Sequence, residues 1–201
     1  MLAGTPALKP YFAAHRLAGA LFVGTLAVWL ALQARQAVHR RDEATVMDRG
    51  SRLVLAVCWI AGVALAVLAR AKVPAAAFPA DAATFAAGLV LLWTGIGLRW
   101  WSIRTLGRYF TFDVMTSADQ PVITSGPYRV MRHPSYTGLL LIFGGIGVML
   151  ANWLSLALLI VFSLLGLIYR IHVEEAALEE ALGDGYRSYA AHRRRIIPFV
   201  W

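Results

Sequence analysis

Tyr136-Thr-Gly-Leu-Leu-Leu-Ile-Phe-Gly-Gly-Ile-Gly-Val-Met-Leu150 and Trp153-Leu-Ser-Leu-Ala-Leu-Leu-Ile-Val-Phe-Ser-Leu-Leu-Gly-Leu-Ile-Tyr169 are two uncharged apolar runs separated only by Ala151 and Asn152. A helix needs roughly 20 residues to cross a hydrocarbon core of about 30 Å, and shorter runs cross with interfacial extension or local thinning. The two-residue break predicts a tight helical hairpin that reaches the far interface and turns back. Three further apolar stretches precede it: Leu17–Ala34, Leu53–Ala69 and Ala82–Leu98. The composition agrees, with 59% of the 201 residues in the set AVILMFWYC and 15% charged. A soluble core of this size could not hide so much apolar surface. The sequence therefore predicts an all-α integral membrane protein of about five transmembrane helices, in one membrane-embedded domain.

The net charge of +8 does not indicate nucleic acid, because the cations lie between apolar stretches rather than in one patch. Lys9 and Arg16 precede the first stretch, Arg70 and Lys72 follow the second, and the hairpin turn has none. The first-to-second loop carries Arg35, Arg40, Arg41, Arg49 and Arg52, and the third-to-fourth segment carries Arg99, Arg104, Arg108, Arg129 and Arg132. The tail adds Arg170, Arg187, Arg193, Arg194 and Arg195, so five alternating spans place fifteen cations on one side and four on the other. This predicts a multi-pass protein of the cell membrane with its N-terminus outside and its C-terminus cytoplasmic. Trp93, Trp100, Trp101, Trp153 and Trp201 fall near the ends of stretches or of the chain, where indole rings favour the headgroup layer. Removing residues 1–34 as a signal peptide would put the first basic loop on the wrong side, so the first span is expected to remain.

Polar residues concentrate in Arg99–Tyr136 and Arg170–Arg195, which flank the hairpin and should converge into a roofed cytoplasmic cavity. Ser125-Gly126-Pro127 reads as a turn. His133-Pro134 reads as a helix start, with the free N–H groups of Ser135, Tyr136 and Thr137 beyond it. Arg170 and Glu174, four apart, share a helix face at the membrane edge, where ionisable groups tend to be functional. Taken singly, these residues have plainer readings: Arg132 and His133 as interfacial anchors, Arg170 with Glu174 as a surface pair, and Glu175, Glu179 and Glu180 as a solvated face. Gly144-Gly-Ile-Gly147 lies within a span and lacks the strand and third glycine of a dinucleotide turn. The five histidines show no metal-ligand spacing on a helix, and the lone Cys58 excludes an intramolecular disulfide. No metal is expected.

Thr124-Ser-Gly-Pro-Tyr-Arg-Val-Met-Arg-His-Pro-Ser-Tyr-Thr-Gly138, the hairpin, Arg170-Ile-His-Val-Glu-Glu-Ala-Ala-Leu178 and Gly185-Tyr-Arg-Ser-Tyr189 together resemble the isoprenylcysteine carboxyl methyltransferase family, as a prokaryotic member. The resemblance runs from Gly107 to Pro198, with a shorter Phe110–Thr124 stretch than eukaryotic members have. It implies a methyltransferase-like core over residues 82–201, following N-terminal spans (1–81) without motifs. It further implies S-adenosylmethionine bound on the cytoplasmic side by Gln120, Pro121, Val122, Ile123, Tyr128, His133, Pro134, Ser135, Tyr136 and Glu174. Arg170 resembles the catalytic residue that meets the substrate carboxylate, in a prenylcysteine-like or other lipophilic acid. The implied partners are a lipophilic or lipid-modified substrate and membrane lipids. Related folds leave two other chemistries open, phospholipid or amine N-methylation and NADPH-linked reduction of the sterol-reductase type, beside a non-enzymatic scaffold. A carboxylate acceptor is already ionised at pH 7, its reference pKa being near 4, so positioning must carry such a reaction.

The charge count generates a direct test. A reporter active only in the cytoplasm should be active when fused after Trp201 and silent when fused before Met1, and the opposite pattern would invert the topology.

Overall fold

The computed structural model describes residues 9–37, 45–46, 48–110, 115–116 and 121–196. Among these residues the α-helices run in the order α1 (Tyr11–Ala14), α2 (Arg16–Ala37), α3 (Ser51–Lys72), α4 (Ala82–Leu106), α5 (Pro134–Met149) and α6 (Trp153–Ala191). Short 3-10 turns occupy Pro74–Ala76, Gly107–Tyr109 and Gly126–Arg129. Two-residue strands, β1 (Thr45–Val46) and β2 (Met115–Thr116), pair antiparallel, with Thr45 opposite Thr116. Among the described residues, four helical segments are long and apolar enough to cross a membrane: Arg16–Arg35, Ser51–Lys72, Ala82–Tyr109 and Trp153–Ala191. The fifth apolar helix, α5, has 16 residues, or about 24 Å at 1.5 Å per residue. Each predicted apolar stretch thus coincides with a helix, and the protein is an all-α, multi-pass membrane protein.

Within lipid, backbone and side-chain polar groups must find partners inside the protein. The hairpin turn meets this demand compactly. Ala151 is fully buried at φ 51°, and its carbonyl accepts from Phe78 N at 3.1 Å. Buried Asn152 caps α6 by accepting from Ser155 N at 3.0 Å and donates through Nδ2 to Val73 O at 3.0 Å. Ser155 Oγ donates to Ala66 O at 2.7 Å, tying the same turn to α3. At the start of α4, Asp81 accepts from Thr84 N at 2.8 Å, which holds its carboxyl below the usual range.

The bundle is built on close backbone approach. A Cβ on Gly95 would lie 2.5 Å from Gly138 O, and one on Gly145 would lie 2.5 Å from Gly88 O. Gly95 faces Gly138 and Gly88 faces Gly145, so α4 and α5 run antiparallel along a glycine seam with a seven-residue repeat. Small residues at this spacing allow dispersion contacts that larger side chains would prevent, in a medium where burial alone drives little association. Leu92, Leu139, Ile142 and Met149 fill the seam's flanks and are fully buried. The Gly144–Gly147 run therefore serves packing, with Gly145 against α4 and Gly147 against Leu156 of α6. On the other side α6 packs on α3, Gly62 against Phe162 and Gly166 against Leu55.

This register positions the site. With Gly138 level with Gly95, α4 continues to Leu106, about 10 Å past the first residue of α5. Helix α6 also runs on past its contact with Tyr136 to a kink at Gly183 (φ 54°), beyond which the chain resumes helix to Ala191. Short α5 therefore begins in a recess walled by two longer helices.

Substitution in the seam should be costly while a control on the same helix is not. Gly95→Ala forces a methyl against Gly138 O and should destabilise the detergent-purified protein by about 1–3 kcal/mol, read as a lowered melting temperature. Gly97→Ala, where a Cβ meets nothing within 4 Å, should be neutral or slightly stabilising.

Candidate active site

The recess is assembled from the start of α5 outward. Gly126 at φ 55° permits the turn the sequence predicts, packed against Thr105 and Trp101 of α4. The chain then passes buried Tyr128, whose carbonyl accepts from Tyr189 Oη at 2.9 Å. Residues 193–196 lie alongside: Arg132 N and His133 N donate to the carbonyls of Arg194 and Arg195, each at 2.8 Å, and Thr137 Oγ1 donates to Ile196 O at 2.6 Å. Pro134 takes the first helical position, as expected. The helix end is not the open row of donors expected from the sequence, because Tyr136 N and Thr137 N both donate to His133 O.

Two adjacent glutamates of α6 meet this segment in different ways. Glu175, read from sequence as solvated, is buried and fully engaged: Arg132 Nη1 and His133 Nε2 reach Oε1 at 2.8 and 3.1 Å, and Arg195 Nε donates to Oε2 at 2.9 Å. Three cationic or donor groups offset the cost of burying one carboxylate. Glu174 stays partly open, its side chain 30% exposed. Its Oε2 accepts from Tyr136 Oη at 2.5 Å and lies 3.8 Å from His133 Nδ1, while Oε1 has no partner among the described residues. The rings of His133 and Tyr136 stack, with centroids 5.3 Å apart.

Tyr136 Oη also accepts from Arg170 Nε at 2.9 Å. The phenol thus links the guanidinium to the open carboxylate, replacing the simple surface pair as the relation between Arg170 and Glu174. Arg170 Nη1 donates to Asp48 Oδ1 at 3.2 Å and Ser51 Oγ at 3.1 Å, at the head of α3. Beneath the start of α5, Arg99 donates through Nη1 to Ser135 Oγ and through Nε to Gln33 Oε1, the latter at 2.9 Å. A cavity of about 160 Å³ opens here. Arg52, Arg99, Arg170 and Tyr136 line one part and Leu55, Ala56, Trp59, Phe110 and Leu139 the rest.

The structure therefore gathers His133, Pro134, Ser135, Tyr136, Arg170 and Glu174 at one place. Tyr128 lies close by, and burial pushes its phenol well above its ordinary range, so it remains protonated at neutral pH. Pro121, Val122 and Ile123 run before the turn, with Val122 beside Gly185 of α6. Gln120 lies outside the described residues. Sequence reasoning missed Asp48, Ser51, Arg99 and the Glu175 clamp. Arg99 and Arg195 enter the sequence reading only as topology charges, Arg132 only as such a charge and an interfacial anchor, and no local motif announces Asp48.

Comparison with known proteins adds the lineage. The chain is 36% identical over 115 residues to protein-S-isoprenylcysteine O-methyltransferase B of Arabidopsis thaliana, covering 56% of this chain and 58% of the plant protein. It is 32% identical over 115 residues to protein-S-isoprenylcysteine O-methyltransferase of Tribolium castaneum, covering 56% and 41%. The match thus covers 58% of the plant relative's length and 41% of the insect one's. The solved structure of the eukaryotic intramembrane Ras methyltransferase ICMT shares its fold, with a TM-score of 0.61 at 22% identity, over 99% of this chain and 70% of that one. These likenesses bear out the resemblance carried by the Arg-His-Pro-Ser-Tyr and Glu-Glu blocks. Residues 83–185 match the phospholipid methyltransferase family, a stretch that takes in the glycine seam of α4 as well as the recess and most of α6. By that match, which covers half its length, the chain belongs to the phospholipid methyltransferase family.

Proposed function

We propose that this protein is an S-adenosylmethionine-dependent carboxyl methyltransferase acting on a prenylcysteine-like or other lipophilic carboxylic acid at the membrane–cytoplasm interface. One observation carries the reading: the Glu174–Tyr136–Arg170 chain joins a partly open carboxylate to a guanidinium bordering a half-apolar cavity. Its orientation toward the cytoplasm rests on the fifteen-to-four distribution of cations.

The donor set suits the cofactor. Glu174 Oε1 has no partner among the described residues, and Arg132 Nε and Tyr186 Oη are buried without one. A ligand carrying an ammonium, hydroxyl groups and a carboxylate would satisfy both kinds of group. His133, Tyr136 and Glu174 would hold it, with Pro121–Ile123 and Tyr128 along its flank and Gln120 as a further contact from the resemblance. When bound, S-adenosylmethionine supplies an electrophilic methyl group.

The protein's task is then positioning. Arg170 shares its fork between Tyr136, Asp48 and Ser51, and an acceptor carboxylate would join this set as a further hydrogen-bond acceptor. Arg170 orients that carboxylate, and Tyr136 fixes Arg170 relative to Glu174, so that acceptor and cofactor are held in one frame. The apolar wall of Leu55, Trp59 and Leu139 excludes water and accepts the lipophilic part of the substrate. Three guanidinium groups around one small cavity disfavour a cationic amine acceptor.

Isothermal titration of the purified protein should show binding of S-adenosylhomocysteine and none of NADPH; the reverse would identify a reductase. His133→Ala and Glu174→Ala should each weaken that binding by roughly 1–3 kcal/mol, the loss of one partner of a buried hydrogen bond. Unchanged affinity in both folded variants would remove them from the cofactor site.

Arg170 separates positioning from cofactor binding. Arg170→Ala should keep cofactor affinity nearly intact while methylation of farnesylcysteine-type acids collapses, and Arg170→Lys should rescue poorly because a point charge cannot reproduce the fork. A purely structural role for this buried group would instead leave turnover normal while lowering stability by about 3–5 kcal/mol, the cost of removing one partner of a buried pair.

A further inference from the structure

A second cavity, about 980 Å³, lies between α2 and α3 toward the opposite end of α3 from Asp48 and Ser51. It is at the upper end of the range of roughly 300–1,000 Å³ seen for ligand pockets. Its walls are aliphatic and aromatic, including Phe22, Leu26, Trp29, Val63 and Phe143, and among the described residues no acidic one lines it. Its charged lining groups are Arg70, in the last turn of α3, and Lys9.

Arg70 is only 8% exposed, yet its Nε and Nη2 have no hydrogen-bond partner among the described residues. The indole Nε1 atoms of Trp29 and Trp59, two other lining residues, are buried and unpartnered as well. A guanidinium withdrawn from water with N–H groups unsatisfied is strongly unfavourable unless an acceptor arrives. An acceptor with paired anionic oxygens matches the planar fork, and an apolar chain matches the walls. Free phosphate would leave the walls bare and a hydrocarbon would leave Arg70 unpaired. Arg70 also sits two residues before the end of a 22-residue span, at the depth where lipid headgroups begin.

We propose that this cleft binds one anionic phospholipid, its phosphodiester on Arg70 with Lys9 nearby and an acyl chain packed between α2, α3 and α5. The assignment does not depend on the methyltransferase reading. Lys9, Arg70 and the lack of lining acids favour a net anionic lipid over a zwitterionic one.

Native mass spectrometry of the full chain, purified in detergent and supplied with equal palmitoyl-oleoyl phosphatidylglycerol and phosphatidylcholine, tests the proposal. One phosphatidylglycerol should be retained, in preference to phosphatidylcholine by about tenfold or more: both offer Arg70 a phosphodiester, but only choline brings a cation beside Arg70 and Lys9. Arg70→Gln should erase the preference. Val63→Trp, which fills the cleft and leaves Arg70 in place, should lower retention of both lipids. Equal retention by the wild type, an undiminished preference in Arg70→Gln, or unchanged retention in Val63→Trp would overturn the proposal. So would displacement of phosphatidylglycerol by N-acetyl-S-farnesylcysteine, which would give the cleft to an acceptor tail.

Discussion

The close approach of α4 and α5 at Gly88, Gly95, Gly138 and Gly145 is the contact on which the recess depends. In lipid the driving force for association is packing, and backbones touch only where side chains are absent. That contact fixes the register between a 25-residue helix and a 16-residue one. The difference in length becomes a recess, and the register puts Arg99 under Ser135 and the His133–Tyr136 segment against α6. A shift of one helical turn along the seam would separate Arg99 from Ser135.

Glu174 and Glu175 show how neighbouring identical side chains acquire different tasks. Successive residues on a helix point about 100° apart. One carboxylate therefore turns into the Arg132–His133–Arg195 clamp and serves as a structural anion, while the other borders the opening. His133 lies between them, Nε2 on Glu175 and Nδ1 facing Glu174. The clamp thus sets the plane of the ring that the open site presents.

Much of the fold was legible because the bilayer imposes coarse rules. The five apolar stretches, the Asn152 break and the Pro134 helix start could be read from hydropathy and from proline and glycine chemistry, and each lies where expected. Of the site, the residues near the hairpin were legible through their spacing. Asp48, Ser51 and Arg99 were not, because they reach Arg170 or Ser135 only through tertiary packing. Glu175 was misread for a related reason. Side-chain burial at the end of a helix that leaves the membrane depends on what folds back over it, here residues 193–196.

That return of residues 193–196 has a consequence for biosynthesis. They pair with the backbone of Arg132 and His133, and Arg195 completes the clamp on Glu175. The ribosome delivers this segment only after both hairpin helices have been made and the hairpin can enter the bilayer. During translation the recess is therefore unfinished, with Glu175 lacking one cation and the approach to α5 unsupported. The site is complete only once residues 193–196 have folded back over the start of α5 and onto α6.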